Sequence, residues 1–135
     1  MSVNDCKLID LQTIVDSSGE LTVVESGRHI AFDIKRIYYL HGVSATSERG
    51  SHAHKELRQL IIPISGSFDV DLFDGINKKK YSLRNPNVGL FVCPMIWRDI
   101  KNFSSNAVCL VLASALYDEE DYLRNYNDFL DLLRP

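Results

Sequence analysis

The chain has 135 residues, of which 45% are hydrophobic and 24% charged, and its formal net charge is -3. This length suits one domain with a hydrophobic core and is short for two, so we predict a single domain over residues 1–135. The composition argues against a disordered chain, and a slight negative charge without a basic stripe argues against a nucleic-acid partner.

The three cysteines, Cys6, Cys93 and Cys109, are widely separated, and no pair has the spacing of a metal or redox motif. We expect free thiols, buried in a reducing compartment. The N-terminal "MSVNDCKLID" lacks the basic and apolar regions of a secretory signal, and no apolar run reaches membrane-spanning length. These features predict a cytoplasmic protein without a membrane partner.

Short β-strands separated by turn residues run through most of the chain. The run "SFDVDLF" alternates cleanly, with Phe68, Val70 and Leu72 on one face and Asp69 and Asp71 on the other. Strand-rich segments are predicted at 21–25, 34–40, 58–64, 67–73, 79–83, 88–92 and 107–113. Even spacing of short strands predicts an all-β sandwich or barrel.

The last segment, "YDEEDYLRNYNDFLDLLRP", departs from the strand pattern. Asp118 can cap a helix whose first turn is acidic, which suits the helix dipole. Tyr122, Tyr126, Phe129 and Leu133 then follow helical spacing. We predict a short amphipathic C-terminal helix that packs on the barrel or on a second subunit.

Residues 49–66, "RGSHAHKELRQLIIPISG", place two histidines just ahead of an apolar strand. If the segment is extended, His52 and His54 project to one face and Ala53 to the other. Gln59 lies five residues after His54, and Gly66 stands in a turn. This order resembles the first motif of the cupin superfamily, in which the position of Gln59 is usually a glutamate and a later strand supplies a third histidine.

The departures from that motif argue against a metal. Gln59 offers a neutral amide, and the later strand "GLFVCPMIWRDI" supplies Arg98 where a histidine would be expected. A cation there would oppose a divalent metal, and recruiting His29 or His41 as a third ligand has no support in the pattern. Two imidazoles on one face suit general acid–base chemistry instead, because their ordinary pKa of about 6.5 lies near working pH.

Several stretches together resemble the dTDP-4-dehydro-6-deoxyglucose 3,4-ketoisomerases (WxcM-like enzymes) of the cupin superfamily. The resemblance covers nearly the whole chain in order. The matching stretches are "KRIYYL" (35–40), "RGSHAHKELRQLI" (49–61), "GSFDVDLFDG" (66–75), "PNVGLFVCPMIWRDIKNFSS" (86–105) and "VLASALYDEEDYLRNY" (111–126). The family implies a cupin-type β-barrel or jelly roll, a dTDP-linked keto-deoxysugar substrate, and isomerisation through an enediol without metal or cofactor.

The resemblance also implies roles for individual residues. His52 is the expected base at C3 of the sugar, His54 its partner in proton delivery, and Tyr38 a third catalytic group. The expected substrate-binding residues are Arg36, Arg49, Gln59, Trp97 and Arg98. Two interpretations stay open for Trp97, which either stacks on the substrate or fills the core, and for Arg36, which either reaches the substrate or faces solvent.

Three alternatives stand beside the isomerase hypothesis. One is a metal-dependent cupin enzyme that uses His52, His54 and an unrecognised third ligand. Another is a related sugar-nucleotide epimerase, which also begins by removing a proton beside a ketone, and the third is a binding module without turnover. We also predict a homodimer, in which paired edge strands are protected and the hairpin-like region 8–25 exchanges between subunits.

Overall fold

Two five-stranded antiparallel sheets face each other in a computed structural model that describes residues 1–134. The strands are β1 (Lys7–Asp10), β2 (Gln12–Asp16), β3 (Gly19–Val23), β4 (Arg36–Leu40), β5 (Arg49–His54), β6 (Gln59–Ser65), β7 (Phe68–Phe73), β8 (Lys78–Leu83), β9 (Val88–Val92), β10 (Trp97–Lys101), β11 (Val108–Ala113) and β12 (Tyr122–Leu123). One sheet has the order β1-β9-β6-β11-β4 and the other β12-β5-β10-β7-β8, while β2 and β3 form a separate hairpin. This arrangement confirms the predicted all-β jelly roll with a short C-terminal helix, α1 (Tyr126–Leu133).

The main core lies between the two sheets. In β7, Phe68, Val70 and Leu72 are buried as the alternating pattern predicts, and Asp69 and Asp71 point outward. The aliphatic run in β6 is continuous because both faces of that strand are covered. Ile61 belongs to the inner core, whereas Leu60 and Ile62 pack into a second cluster on the outer face.

Gly66 forms the predicted turn between β6 and β7. Its φ of +67° lies in the left-handed region, and an added Cβ would come within 2.9 Å of the Cα of Ala107. Only glycine meets both requirements without strain, so this position closes the hairpin tightly.

The C-terminal helix begins later than predicted. Asp118 caps a single 3-10 turn, Glu119–Asp121, and not the α-helix. Tyr122 and Leu123 are then extended because they pair with the end of β5, which would otherwise be an unpaired edge. Asn125 caps α1, with its side chain accepting a hydrogen bond from the Asp128 backbone N–H.

The outer face of the second sheet is covered by α1. Its Phe129 is fully buried against Trp97, Ala53 and Leu123, so the helix packs on the barrel as predicted. Across residues 1–134, no helix combines the length and apolar character needed to cross a membrane.

Candidate active site

The two histidines at the end of β5 form a direct pair. The Nε2 atoms of His52 and His54 are 3.1 Å apart, and the rings are nearly perpendicular. Ala53 points to the opposite face and is buried under α1, as the alternation predicts. Gly50, with φ of +86°, lies where the register between β5 and β10 shifts. Such a bulge re-aims the side chains that follow it.

Each imidazole is anchored through its Nδ1 atom. The Nδ1 of His52 lies 2.7 Å from the carbonyl oxygen of Gly50, and the Nδ1 of His54 lies 3.1 Å from Oδ2 of Asp121. The other carboxylate oxygen, Oδ1, accepts the backbone N–H of Glu56 at 2.9 Å. Both rings are therefore fixed in orientation by acceptor groups.

The pair lies at a cavity of about 590 Å³ that opens between the sheets. His52 borders this cavity, whereas His54 lies behind it and is fully buried. The other polar or aromatic side chains that line it are Arg36, Tyr38, Glu48, Arg49, Ser51, Gln59, Arg98, Tyr117, Tyr122 and Arg124. Four arginines against one glutamate make the lining cationic, which suits an anionic ligand.

A chain of hydrogen bonds links three of the predicted residues across the cavity. Arg98 is buried, and its guanidinium donates to Oε1 of Gln59 and to the Ile96 carbonyl at 3.0 Å. The Nε2 of Gln59 donates to the hydroxyl oxygen of Tyr38 at 2.9 Å. Because Tyr38 is the acceptor in this bond, its own hydroxyl proton is free to point into the cavity. Burial raises the pKa of Tyr38 and keeps the phenol protonated.

Burial and nearby cations keep both histidines neutral. Burial, followed by the Arg98 charge, lowers the pKa of His52 to about 4. The same two causes, in the same order, lower the pKa of His54 to about 2. The expectation of a pKa near 6.5 is therefore wrong for this pair. At neutral pH both rings hold unshared electron pairs that can take up a proton, and they are weaker bases than a free imidazole.

The structure brings together most of the predicted site residues. Arg36, Tyr38, Gln59 and Arg98 all line the cavity, and Arg49 lines it at the exposed rim. The guanidinium of Arg36 lies over the ring of Tyr38, 5.3 Å from its centroid, so Arg36 faces the cavity and not bulk solvent.

Trp97 lies outside the cavity, which corrects its prediction as a substrate-binding residue. Successive residues of β10 alternate between faces, so Arg98 points into the barrel and Trp97 points out. The indole is buried against α1, with its centroid 5.6 Å from that of Phe129. It fills the core between sheet and helix, which is the second of the two interpretations.

Three functional candidates were missed by the sequence analysis. Asp121 bonds to His54, Tyr122 packs edge-on against it with ring centroids 4.3 Å apart, and Arg124 lines the cavity. They come from a segment that helical spacing assigned to a packing role. No local pattern indicated that it returns to the histidine pair.

The donor set does not fit a divalent cation. Over residues 1–134, no group of three or more His, Cys, Asp or Glu side chains is arranged to hold a metal. The position that is usually a glutamate in metal-binding cupins carries the Gln59 amide, which is bonded to Arg98 and Tyr38. The buried guanidinium of Arg98 would repel a cation bound between the imidazoles.

Comparison with known proteins gives matches over nearly the whole chain. The family model described as "WxcM-like, C-terminal" matches residues 4–134. A curated TDP-4-oxo-6-deoxy-alpha-D-glucose-3,4-oxoisomerase from Aneurinibacillus thermoaerophilus is 43% identical over 123 residues, which span 91% of this chain and 88% of the relative.

Solved structures agree with this result. A sugar 3,4-ketoisomerase from Thermoanaerobacterium thermosaccharolyticum, crystallised with TDP, is 42% identical and superposes with a TM-score of 0.92 over 94% of this chain and 93% of that one. A TDP-quinovose 3,4-ketoisomerase from Campylobacter jejuni is 44% identical, with a TM-score of 0.91 over 94% and 98% of the two chains. The chain therefore belongs to the WxcM-like family of sugar-nucleotide 3,4-ketoisomerases.

Proposed function

We propose that the chain converts dTDP-4-dehydro-6-deoxyglucose into its 3-keto isomer through an enediol. The observation that carries this proposal is the neutral histidine pair at a cationic cavity. Relatives at 42–44% identity are named as 3,4-ketoisomerases, and one of them was crystallised with TDP. The reaction needs a base at C3, an electrophile at the ketone oxygen and a site for the diphosphate.

His52 is the base in this proposal. The ketone at C4 acidifies the proton on C3, and removing it moves an electron pair into a C3–C4 double bond and negative charge onto O4. His52 is the histidine that borders the cavity, and its lowered pKa of about 4 keeps it unprotonated near pH 7. His54 does not line the cavity, so its partnership in proton delivery runs through His52.

Tyr38 and Arg98 stabilise the charge that develops on the sugar oxygens. The phenol proton of Tyr38 is not used by Gln59 and is available to a sugar oxygen. Arg98 supplies a fixed positive charge in a buried environment, where an ionic interaction is stronger than in water. Gln59 holds both groups in place, so its role is to position them.

The remaining arginines suit the diphosphate. Arg36, Arg49 and Arg124 line the cavity, and guanidinium groups bind phosphate oxygens with paired hydrogen bonds. Arg124 lies over the ring of Tyr122 at 4.2 Å from its centroid and bonds to Glu119, so it is held at the mouth. Free buried thiols at all three cysteines support a cytoplasmic location.

We also propose a homodimer that forms through the β2–β3 hairpin. Its Ile14, Val15 and Leu21 are exposed, and β4 is an edge strand with exposed Ile37 and Tyr39. Docking the hairpin of one copy near the β4 edge of another would cover both apolar surfaces.

Light scattering at micromolar concentration tests the dimer. We expect a dimer mass for the natural protein and for the control Ile76→Glu, whose side chain is exposed elsewhere. Leu21→Glu should give a monomer. A monomer mass for the natural protein would contradict the proposal.

NMR of the reaction tests the activity. After incubation with dTDP-4-dehydro-6-deoxyglucose in D₂O, we expect the ketone to be at C3 of the product instead of C4, with deuterium at C4. Inversion of a stereocentre with the ketone still at C4 would favour an epimerase, and binding without any change in the sugar would favour a binding module. Either result would overturn the proposal.

A further inference from the structure

Four groups form a line of hydrogen-bond contacts behind the cavity. The Gly50 carbonyl lies 2.7 Å from Nδ1 of His52, the two Nε2 atoms are 3.1 Å apart, and Nδ1 of His54 lies 3.1 Å from the Asp121 carboxylate. The line therefore contains three contacts. Its two ends are fixed acceptors, because a carbonyl oxygen and an ionised carboxylate cannot donate a proton.

Counting protons along this line shows that one is missing. Two neutral imidazoles carry two N–H groups, which are enough for two of the three contacts. The contacts with Gly50 and Asp121 each require the proton on Nδ1 of the histidine. Both Nε2 atoms are then unprotonated, and their electron pairs face each other across 3.1 Å. The central contact has room for one additional proton.

The charges around the histidine pair explain why no proton lies between the two Nε2 atoms before substrate reacts. The charged or titratable side chains around the rings are Arg98 from β10, Arg36 from β4, and Glu119, Asp121, Tyr122 and Arg124 from the C-terminal segment. Tyr38 from β4 lines the same cavity as His52. Burial and the Arg98 charge lower the pKa of both imidazoles. A proton is therefore disfavoured there until a negative charge forms on the substrate nearby.

We propose that Asp121 is a positioning residue that fixes the Nδ1–H form of His54, so that the two imidazoles receive the sugar proton as one unit between their Nε2 atoms. The inference rests on the proposed isomerisation. When the C3–H bond breaks, its electron pair forms the C3–C4 double bond and the proton binds Nε2 of His52. The π pair of the C4 carbonyl moves onto O4, and the new N–H of His52 donates to Nε2 of His54. The position empties when the pair delivers a proton, exchanged with solvent, to C4, while the electron pair of the O3–H bond forms the C3 ketone and the O3 proton passes to O4.

The backbone holds Asp121 rigidly for this role. Its carboxylate also accepts the Glu56 backbone N–H at 2.9 Å, and its carbonyl oxygen accepts the Lys55 N–H at 2.9 Å. The side chain is only 18% exposed. The chain on both sides of it is fixed, by the 3-10 turn that precedes it and by the pairing of Tyr122 with His54.

Asp121→Asn separates positioning from substrate binding. An asparagine has one side-chain carbonyl oxygen, which cannot accept from both Glu56 N–H and His54 Nδ1–H. When the amide NH₂ faces His54, the His54 ring must carry its proton on Nε2. That N–H then donates to Nε2 of His52, so the electron pair that should accept the sugar proton is already engaged. We expect kcat to fall about 100-fold or more with KM within about twofold, since general-base catalysis contributes about 10²–10⁴-fold.

Asp118→Asn is the matched control. It makes the same chemical change three residues earlier, at a side chain that caps the 3-10 turn by accepting the Glu120 N–H at 3.0 Å. Asparagine caps as well as aspartate, so we expect natural kcat and KM.

Imidazole ¹⁵N NMR tests the proton positions without any turnover. In the natural protein at neutral pH, His52 and His54 should both show protonated Nδ1 and unprotonated Nε2. His54 should change to the Nε2–H form in Asp121→Asn and stay unchanged in Asp118→Asn.

Two results would overturn the inference: an Nε2–H form of His54 in the natural protein, or a kcat of Asp121→Asn within about threefold of natural. If Asp121→Asn does not fold, the spectrum of the natural protein decides alone. If the protein lacks isomerase activity, the proposed function fails while the spectrum still tests the proton positions.

Discussion

Replacing Gln59 with glutamate changes the direction of one hydrogen bond while keeping the shape of the site. In the natural protein the amide accepts from Arg98 and donates to the hydroxyl oxygen of Tyr38 at 2.9 Å. The carboxylate introduced by Gln59→Glu can still accept from Arg98 but cannot donate. The Tyr38 hydroxyl must then donate its proton to the carboxylate and can no longer offer it to the sugar.

The size of the effect follows from the loss of one donor to a developing oxyanion. Such a loss lowers kcat by about 10²–10³-fold, or about 2.7–4 kcal/mol of transition-state stabilisation. Folding stability should change little, because the number of hydrogen bonds is unchanged and the new charge is paired with Arg98. We therefore expect a folded protein with a large loss of kcat.

A double-mutant cycle with Tyr38→Phe is the assay. If both substitutions act by removing the same phenol proton, the double variant should be no slower than the slower single variant. Thermal unfolding and TDP binding serve as controls for the fold. A kcat for Gln59→Glu within about threefold of natural, or strictly additive losses, would refute the assigned role of Tyr38.

Three further predictions address stability, pH and metal. Gly66→Ala should lower the free energy of unfolding by about 2–4 kcal/mol in urea titrations, because it combines left-handed backbone strain with a steric clash. The control Gly27→Ala, at φ +78° with nothing within 4 Å of the added Cβ, should lower it by about 1–2 kcal/mol. Equal losses in the two variants would contradict the clash. The pKa of His52 in the folded protein is lowered to about 4, so between about pH 6.5 and 4 the unfolded state binds more protons than the folded state. The free energy of unfolding should therefore decrease as pH falls through this range, and less steeply in His52→Asn. Parallel plots of unfolding free energy against pH for the two proteins would contradict the neutral buried imidazole. Dialysis of untagged protein against a chelator should leave kcat unchanged, because the donor set does not fit a divalent cation; loss of activity that a metal restores would favour the metal-dependent alternative.

The local sequence pattern was enough to predict most strands of the barrel. The alternation in β7 predicted its buried face, because one side of that strand packs in the core and the other faces solvent. The same principle put His52 and His54 on one face. The family resemblance added the residues that share the cavity, which no periodicity could have grouped.

The errors come from tertiary contacts between distant segments. Tyr122 has the spacing of a helical residue, yet it is extended because pairing with β5 satisfies its backbone groups. Asp121 reaches His54 across 67 positions of sequence, so no local signal connects them. Trp97 and Arg98 reverse the usual placement of apolar side chains inside a barrel and charged side chains outside it. This end of the barrel encloses a polar cavity, and α1 provides an apolar environment on the outer face.

Hydrogen–deuterium exchange at C3 of the substrate tests the central claim most directly, namely that His52 removes the C3 proton. In D₂O, the natural protein should place deuterium at C3 of the substrate that re-forms from the enediol as the isomerisation reverses, and His52→Asn should slow this exchange by about 10²–10⁴-fold while still binding TDP. Exchange in His52→Asn at a rate near that of the natural protein would show that another group is the base.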